Sequence, residues 1–127
     1  MRRMFLAAVC LLTLAGPALA AETVPFTPAA FTEAKGANKP ILIEIDASWC
    51  PNCAKQRPIL AELSADPAFA DLVIMKIDFD TQKDDVRALG ANMQSTLIAF
   101  HGAAERGRAV GITDPAAIRE LVAKSQS

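Results

Sequence analysis

The chain has 127 residues, of which 13 are Lys or Arg and 14 are Asp or Glu, and 52% are hydrophobic. That length is one domain, which excludes a multi-domain enzyme, and the charge balance argues against a phosphate-backbone partner such as nucleic acid. Three cysteines cannot build a disulfide framework, and a single His leaves little for a metal cage.

The hydrophobicity is front-loaded. Arg2 and Arg3 precede an apolar run from Met4 to Leu14, followed by the helix-breaking pair Gly16-Pro17 and then Ala18-Leu19-Ala20. A positive head, a short apolar run and small residues before a cut site have the form of a secretory signal peptide. The run is well short of the ~20 residues that span a bilayer. Residues 1–20 are therefore expected to be an export segment, on the general secretory route rather than the twin-arginine one. Cys10 would leave with it. The mature domain, 21–127, would then work in an oxidising compartment, the periplasm, with two cysteines.

Thr27-Pro28 reads as a helix cap with Pro at the first helical position, so a short helix is predicted over Ala29–Lys35. A turn cluster over 36–40 leads into Ile41-Leu42-Ile43-Glu44-Ile45, a strand apolar enough to be buried on both faces. Pro51–Ser64 reads as a helix, kinked at Pro58 because proline has no N–H for the Ala54 carbonyl. Leu72–Ile77 is a second strand, and Asp84–Leu89 a helix ending at Gly90. Thr96–Phe100 and Arg106–Val110 read as a hairpin. Asp114-Pro115 caps a last helix with Ile118, Leu121 and Val122 facing inward. The order α-β-α-β-α-β-β-α fits an α/β layer sandwich.

The chemistry concentrates in Trp49-Cys50-Pro51-Asn52-Cys53. Two cysteines three apart at a strand-to-helix junction lie within disulfide reach across one helical turn. Unpaired N–H groups and positive charge at the helix start favour a thiolate on Cys50, the attacking sulfur. Cys53, one turn inward, is the resolving sulfur. A structural zinc site lacks its other ligands, and a structural disulfide closing so small a loop constrains the unfolded chain little. Glu44, an ionisable residue inside an apolar strand, reads as a buried carboxyl able to take a proton from the resolving thiol. Lys76, in the second strand, is its expected charge partner. Asp46 shares the side of the sheet with Glu44 but sits near the strand end, where better solvation is expected. His101 reads as a half-exposed strand-end residue, and Arg106-Gly107-Arg108 as solvated hairpin charge. Nothing suggests a cofactor pocket.

These landmarks together resemble the thioredoxin-like family over nearly the whole mature chain. They are Glu44 in its strand, Ala47-Ser48-Trp49-Cys50-Pro51-Asn52-Cys53, Lys55, Pro58, Lys76, Gly90, Thr96-Leu97-Ile98-Ala99-Phe100 and Gly111. Asn38-Lys39-Pro40-Ile41-Leu42 and Gly111-Ile112-Thr113-Asp114 look especially like the C-terminal thiol-transfer domain of the bacterial thiol:disulfide interchange reductase. The resemblance implies a three-layer sandwich, a central mixed sheet with helices on both faces. It also implies dithiol–disulfide exchange with protein thiols and disulfides, fed by a membrane or soluble thiol donor, in a monomer that needs no cofactor or metal. Cys50 would be the nucleophile, Cys53 the resolving thiol and Glu44 the proton acceptor. Trp49, Pro51, Asn52, Ser95 and Thr96 would meet the substrate, with Lys76 and Pro58 in support.

One position departs from the pattern. The family places a cis-proline before the Thr-Leu of the third strand, and Ser95 stands there instead. A non-proline residue disfavours cis by about 2.5–4 kcal/mol, so a trans, differently shaped loop is expected. Ser95 reads either as a drifted position or as a hydroxyl placed near Cys50. With the proline gone, a non-catalytic module holding a metal or metal cluster through the Cys pair is the alternative reading.

Overall fold

The computed structural model describes residues 20–127. The expected export segment, with Cys10, lies outside the described residues except for its last residue, Ala20. Nine regular elements follow in order: β1 (Glu22–Pro25), α1 (Pro28–Gly36), β2 (Pro40–Asp46), α2 (Pro51–Ala65), β3 (Val73–Asp78), α3 (Lys83–Ala88), β4 (Thr96–His101), β5 (Ala104–Val110) and α4 (Pro115–Ala123). Single 3-10 turns at Pro67–Phe69 and Lys124–Gln126 complete the chain. Among the described residues no helix is long and apolar enough to cross a membrane.

The five strands lie in the order β1-β3-β2-β4-β5. β1 and β2 each run parallel to β3, while β4 is antiparallel to both β2 and β5. The sheet is therefore mixed, and β2 is its middle strand. Strand alternation sorts the side chains of β2 between two cores. Ile41, Ile43 and Ile45 pack with Phe31 and Ala34 of α1 and Val86 of α3. Leu42 packs on the opposite face with Leu60 and Leu63 of α2 and Ile118, Leu121 and Val122 of α4. Helices thus cover both faces, the three-layer α/β sandwich expected from the sequence.

The caps act as the sequence indicates. The Thr27 hydroxyl accepts from the Ala30 N–H at 3.0 Å, and the Asp114 carboxylate from the Ala117 N–H at 2.9 Å, each ahead of a proline at the helix start. Pro58 sits on the exposed side of α2, and the helix continues past it to Ala65.

Two features correct the sequence reading. β1 has no pattern of its own: four residues ending in Pro25, three of them exposed, are too few to show alternation, and pairing with β3 makes them a strand. Arg108 is not a merely solvated charge. Its guanidinium donates to the Leu89 and Gly90 carbonyls at 2.9 and 3.3 Å, closing the end of α3, while Glu105 pairs with it at 2.6 Å.

Ile98, fully buried in β4 opposite Ile43, belongs to the α1/α3 core. Replacing it with Ala removes three methyl or methylene carbons from a packed site, an expected loss of about 2–5 kcal/mol in urea unfolding.

Candidate active site

β2 delivers the chain to the N-terminus of α2, and the sulfur pair sits at that junction. Cys50 is the N-cap of α2 with extended backbone (φ −84°, ψ 118°), Pro51 follows as the first helical residue, and the Cys50 Sγ accepts the Cys53 N–H at 3.1 Å. Sulfur thus takes the place that Ser or Asp oxygen usually fills at a helix start. Both thiols are free and buried, in a cluster with Ala47 against which the partly buried Phe79 packs. Burial pushes the Cys53 thiol up to about 12, and its hydrogen bond with Cys50 adds to this against the opposing backbone groups of Ala47 and Ser95. Cys53 therefore holds its proton at neutral pH until a base removes it. Among the described residues no three His, Cys, Asp or Glu side chains gather into a metal cage.

Around the pair stand the other residues expected at the site. Trp49 is 57% exposed, with its indole N–H donating to Asp80 at 2.8 Å and its ring meeting Phe79 edge-on. Asn52 is exposed, and its side-chain amide nitrogen lies 3.3 Å from where a Cβ on Gly111 would fall. Ser95 is trans, since the described residues contain no cis peptide bond, and it is held at φ 54°. Its carbonyl accepts from the Gly111 N–H at 2.9 Å and from the Gln56 amide at 3.2 Å. Thr96 is buried and turns its hydroxyl onto the Met93 carbonyl at 2.7 Å, so its side chain braces this loop.

A group of charges lies on the α2 side of the sheet. Glu44 is buried and lines a pocket of about 230 Å³ with Arg57, Lys76 and Ser64. Lys76 stands opposite Glu44 in the β2–β3 register, but its ammonium closes on Asp46 at 3.3 Å, which corrects the pairing expected from the sequence. Asp46 is not well solvated either: at 9% exposure it is nearly as buried as Glu44, and Arg57 holds its other oxygen at 3.1 Å. Arg57 also donates to the Ala47 carbonyl at 3.1 Å, tying α2 to the loop before Trp49. Burial raises the Glu44 carboxyl above its usual range. Lys76 and Arg57 oppose that rise, and Asp46 adds to it.

A family model described as Thioredoxin matches residues 22–124, the whole of this fold and site. The chain belongs to the thioredoxin family. It is 36% identical to the thioredoxin of Mycobacterium bovis over 101 residues, covering 78% of this chain and 86% of that protein. It is 30% identical to the thioredoxin of Chlamydia muridarum over 86 residues, which is 68% of this chain and 82% of that one. The crystal structure of Trxlp from Edwardsiella tarda superposes with a TM-score of 0.77 at 38% identity, covering 80% of this chain and 98% of that one. The thioredoxin of Malassezia sympodialis, at 21% identity and a TM-score of 0.72, shares the fold. The chain is thus a thioredoxin-like redox protein with a Cys-x-x-Cys pair.

Within this family frame, four side chains escaped the sequence reading: Gln56, Arg57, Phe79 and Asp80. Gln56 and Arg57 lie in α2, three and four residues past Cys53, a spacing that could have drawn notice to them. Phe79 and Asp80 come to Trp49 from the far end of β3, and no local signal joins them.

The raised Glu44 carboxyl has a consequence for stability. Folding holds its proton more tightly than the unfolded chain does, so its contribution is complete below about 4.5 and is lost as pH rises through the folded value. Glu44→Gln carries no such loss. The variant should match the wild type at about pH 4 and exceed it in urea stability at about pH 7.5, whereas a gap that does not change with pH would contradict the assignment.

Proposed function

We propose that the chain is an exported, periplasmic thiol–disulfide oxidoreductase that passes two electrons from its Cys50–Cys53 dithiol to disulfides of other proteins. The observation that carries this reading is the sulfur cap of α2, with one thiol facing the N–H groups of a helix start and a second, protonated thiol one turn behind it. Relatives named thioredoxin across most of the chain support the same chemistry.

The steps follow from these positions. The Cys50 thiolate attacks one sulfur of a substrate disulfide, and the substrate's other sulfur leaves as a thiolate that takes a proton from water. A mixed disulfide now joins Cys50 to the substrate. Cys53 then gives its proton to the Glu44 carboxylate and attacks the Cys50 Sγ. The second substrate sulfur leaves as a thiolate and takes a proton from water, so the substrate is reduced by two electrons and Cys50–Cys53 is oxidised. A membrane or soluble thiol donor restores the dithiol by the reverse exchange. Glu44 suits the transfer because burial raises its carboxyl and its pocket beside Arg57 and Lys76 connects it to solvent. Trp49, Pro51, Asn52 and the Ser95 loop form the rim that meets the partner.

The reducing or isomerising direction rests on the likeness of Asn38–Leu42 and Gly111–Asp114 to the interchange reductase domain. A reduction potential close to that of strong disulfide oxidants would overturn it.

The reading has direct tests. Cys50→Ser should abolish reduction of a protein disulfide, and Cys53→Ser should accumulate mixed disulfides whose partners name the substrate. Glu44→Gln should slow turnover by about 100-fold while leaving alkylation of Cys50 unchanged. Full activity in Cys50→Ser, or bound metal at stoichiometric level in protein purified without oxygen, would favour the binding-module alternative.

A further inference from the structure

Gln56 is the one polar residue on the buried face of α2, among Cys53, Leu60 and Leu63, and it is 1% exposed. A buried amide survives in a core only when its donors are used. Here the side-chain nitrogen donates to the Ser95 carbonyl at 3.2 Å and to the Ile112 carbonyl at 2.9 Å. These two acceptors belong to different loops. Ser95 precedes β4, and Ile112 follows β5. The Gly111 N–H closes the same knot by donating to the Ser95 carbonyl at 2.9 Å. A single side chain on the helix that carries Cys53 therefore fastens both loops facing the sulfur pair.

Exposed apolar residues lie beside the loops so fastened. Met93 is 45% exposed just before Ser95, and Val110 is 54% exposed just before Gly111. Trp49, on the other side of Cys50, is exposed as well. No other element anchors Ser95 by a side chain among the described residues, and its φ of 54° is one that a residue with a Cβ leaves when released.

We infer that Gln56 is a positioning residue for protein substrates: its amide ties the Ser95 and Ile112 loops to the nucleophile's helix and so fixes the surface that a folded partner must dock on. This rests on the exchange reading above. Gln56 touches neither sulfur nor substrate, so the intrinsic reactivity of Cys50 is independent of it. A small disulfide needs only the sulfur, whereas a protein disulfide needs the surface. The two substrates separate a positioning role from a catalytic one.

The test compares wild type with Gln56→Met, which keeps the volume and deletes both donors, using insulin as the protein disulfide and a nitrobenzoate disulfide as the small one. Dithiothreitol is the electron donor for insulin, and for the nitrobenzoate disulfide the donor is the pre-reduced protein itself, in single turnovers free of dithiothreitol. The expected result is KM for insulin raised by about tenfold with kcat unchanged, and nitrobenzoate kinetics and Cys50 alkylation within about twofold of wild type. Gln56→Glu, similar in shape but presenting a carboxylate to both carbonyls, should raise KM at least as far and carries the test if the Met variant does not fold. Unchanged KM for insulin in a folded variant overturns the inference alone. An equal loss toward both disulfides, or failure of both variants to fold, assigns Gln56 to the scaffold and also overturns it. A wild type inert toward both disulfides defeats the exchange reading and the inference together.

Discussion

The hydrogen bond from the Cys53 N–H to the Cys50 Sγ, 3.1 Å long, both starts helix α2 and prepares its chemistry. A helix needs acceptors for its first N–H groups, and an oxygen cap contributes about 1 kcal/mol. Here the reactive atom is that acceptor. Burial sets the complementary limit on its neighbour: Cys53 keeps its proton at neutral pH until a base takes it. The proposed division into an attacking Cys50 and a resolving Cys53 rests on that difference in setting.

In the proposed exchange the proton of Cys53 needs an acceptor, and the alternation of β2 offers Glu44 as the candidate. Leu42, Glu44 and Asp46 point to the same side of the sheet, toward α2, where each successive residue lies nearer the sulfur junction. Two acids on one buried face would repel without cations. Arg57 and Lys76 answer Asp46 directly and reach Glu44 only through space. The division matters because a carboxylate locked in its own ion pair has little affinity for a proton. With Asp46 occupying both cations, Glu44 stays free to take up and release one.

The strands and helices were legible where the pattern was long. Ile41–Ile45 and Thr96–Phe100 declared themselves by unbroken apolar runs, and Thr27-Pro28 and Asp114-Pro115 by their caps. The sulfur pair was legible because its spacing is itself the signal. What the sequence hid depends on partners far along the chain. β1 is a strand only because β3 lies beside it, and the pairing of Lys76 with Asp46 rather than Glu44 is a choice of side-chain direction across two strands. Asp46 looked solvated at a strand end because nothing local announces that Arg57, eleven residues later, folds over it. Gln56 has the same character: its partners stand 39 and 56 residues away.

Ser95 brings these long-range contacts to bear on the one position that departs from the family pattern. At φ 54° it lies in the left-handed region, which costs a residue with a Cβ about 1–2 kcal/mol. Proline fixes φ near −65°, so the family residue does not fit this loop as built. Gly111, at φ 74° and with a Cβ position only 3.3 Å from the Asn52 side chain, meets the same demand as a glycine. A loop that had only drifted would relax to ordinary backbone angles, since nothing would oppose the relaxation. This one is held from two sides, by the Gly111 N–H and by Gln56, and the second hold comes from the helix that carries Cys53. Strain maintained by dedicated contacts beside a reactive pair is characteristic of sites where geometry is part of function. The loss of the proline is therefore better read as a rebuilt loop than as a missing part.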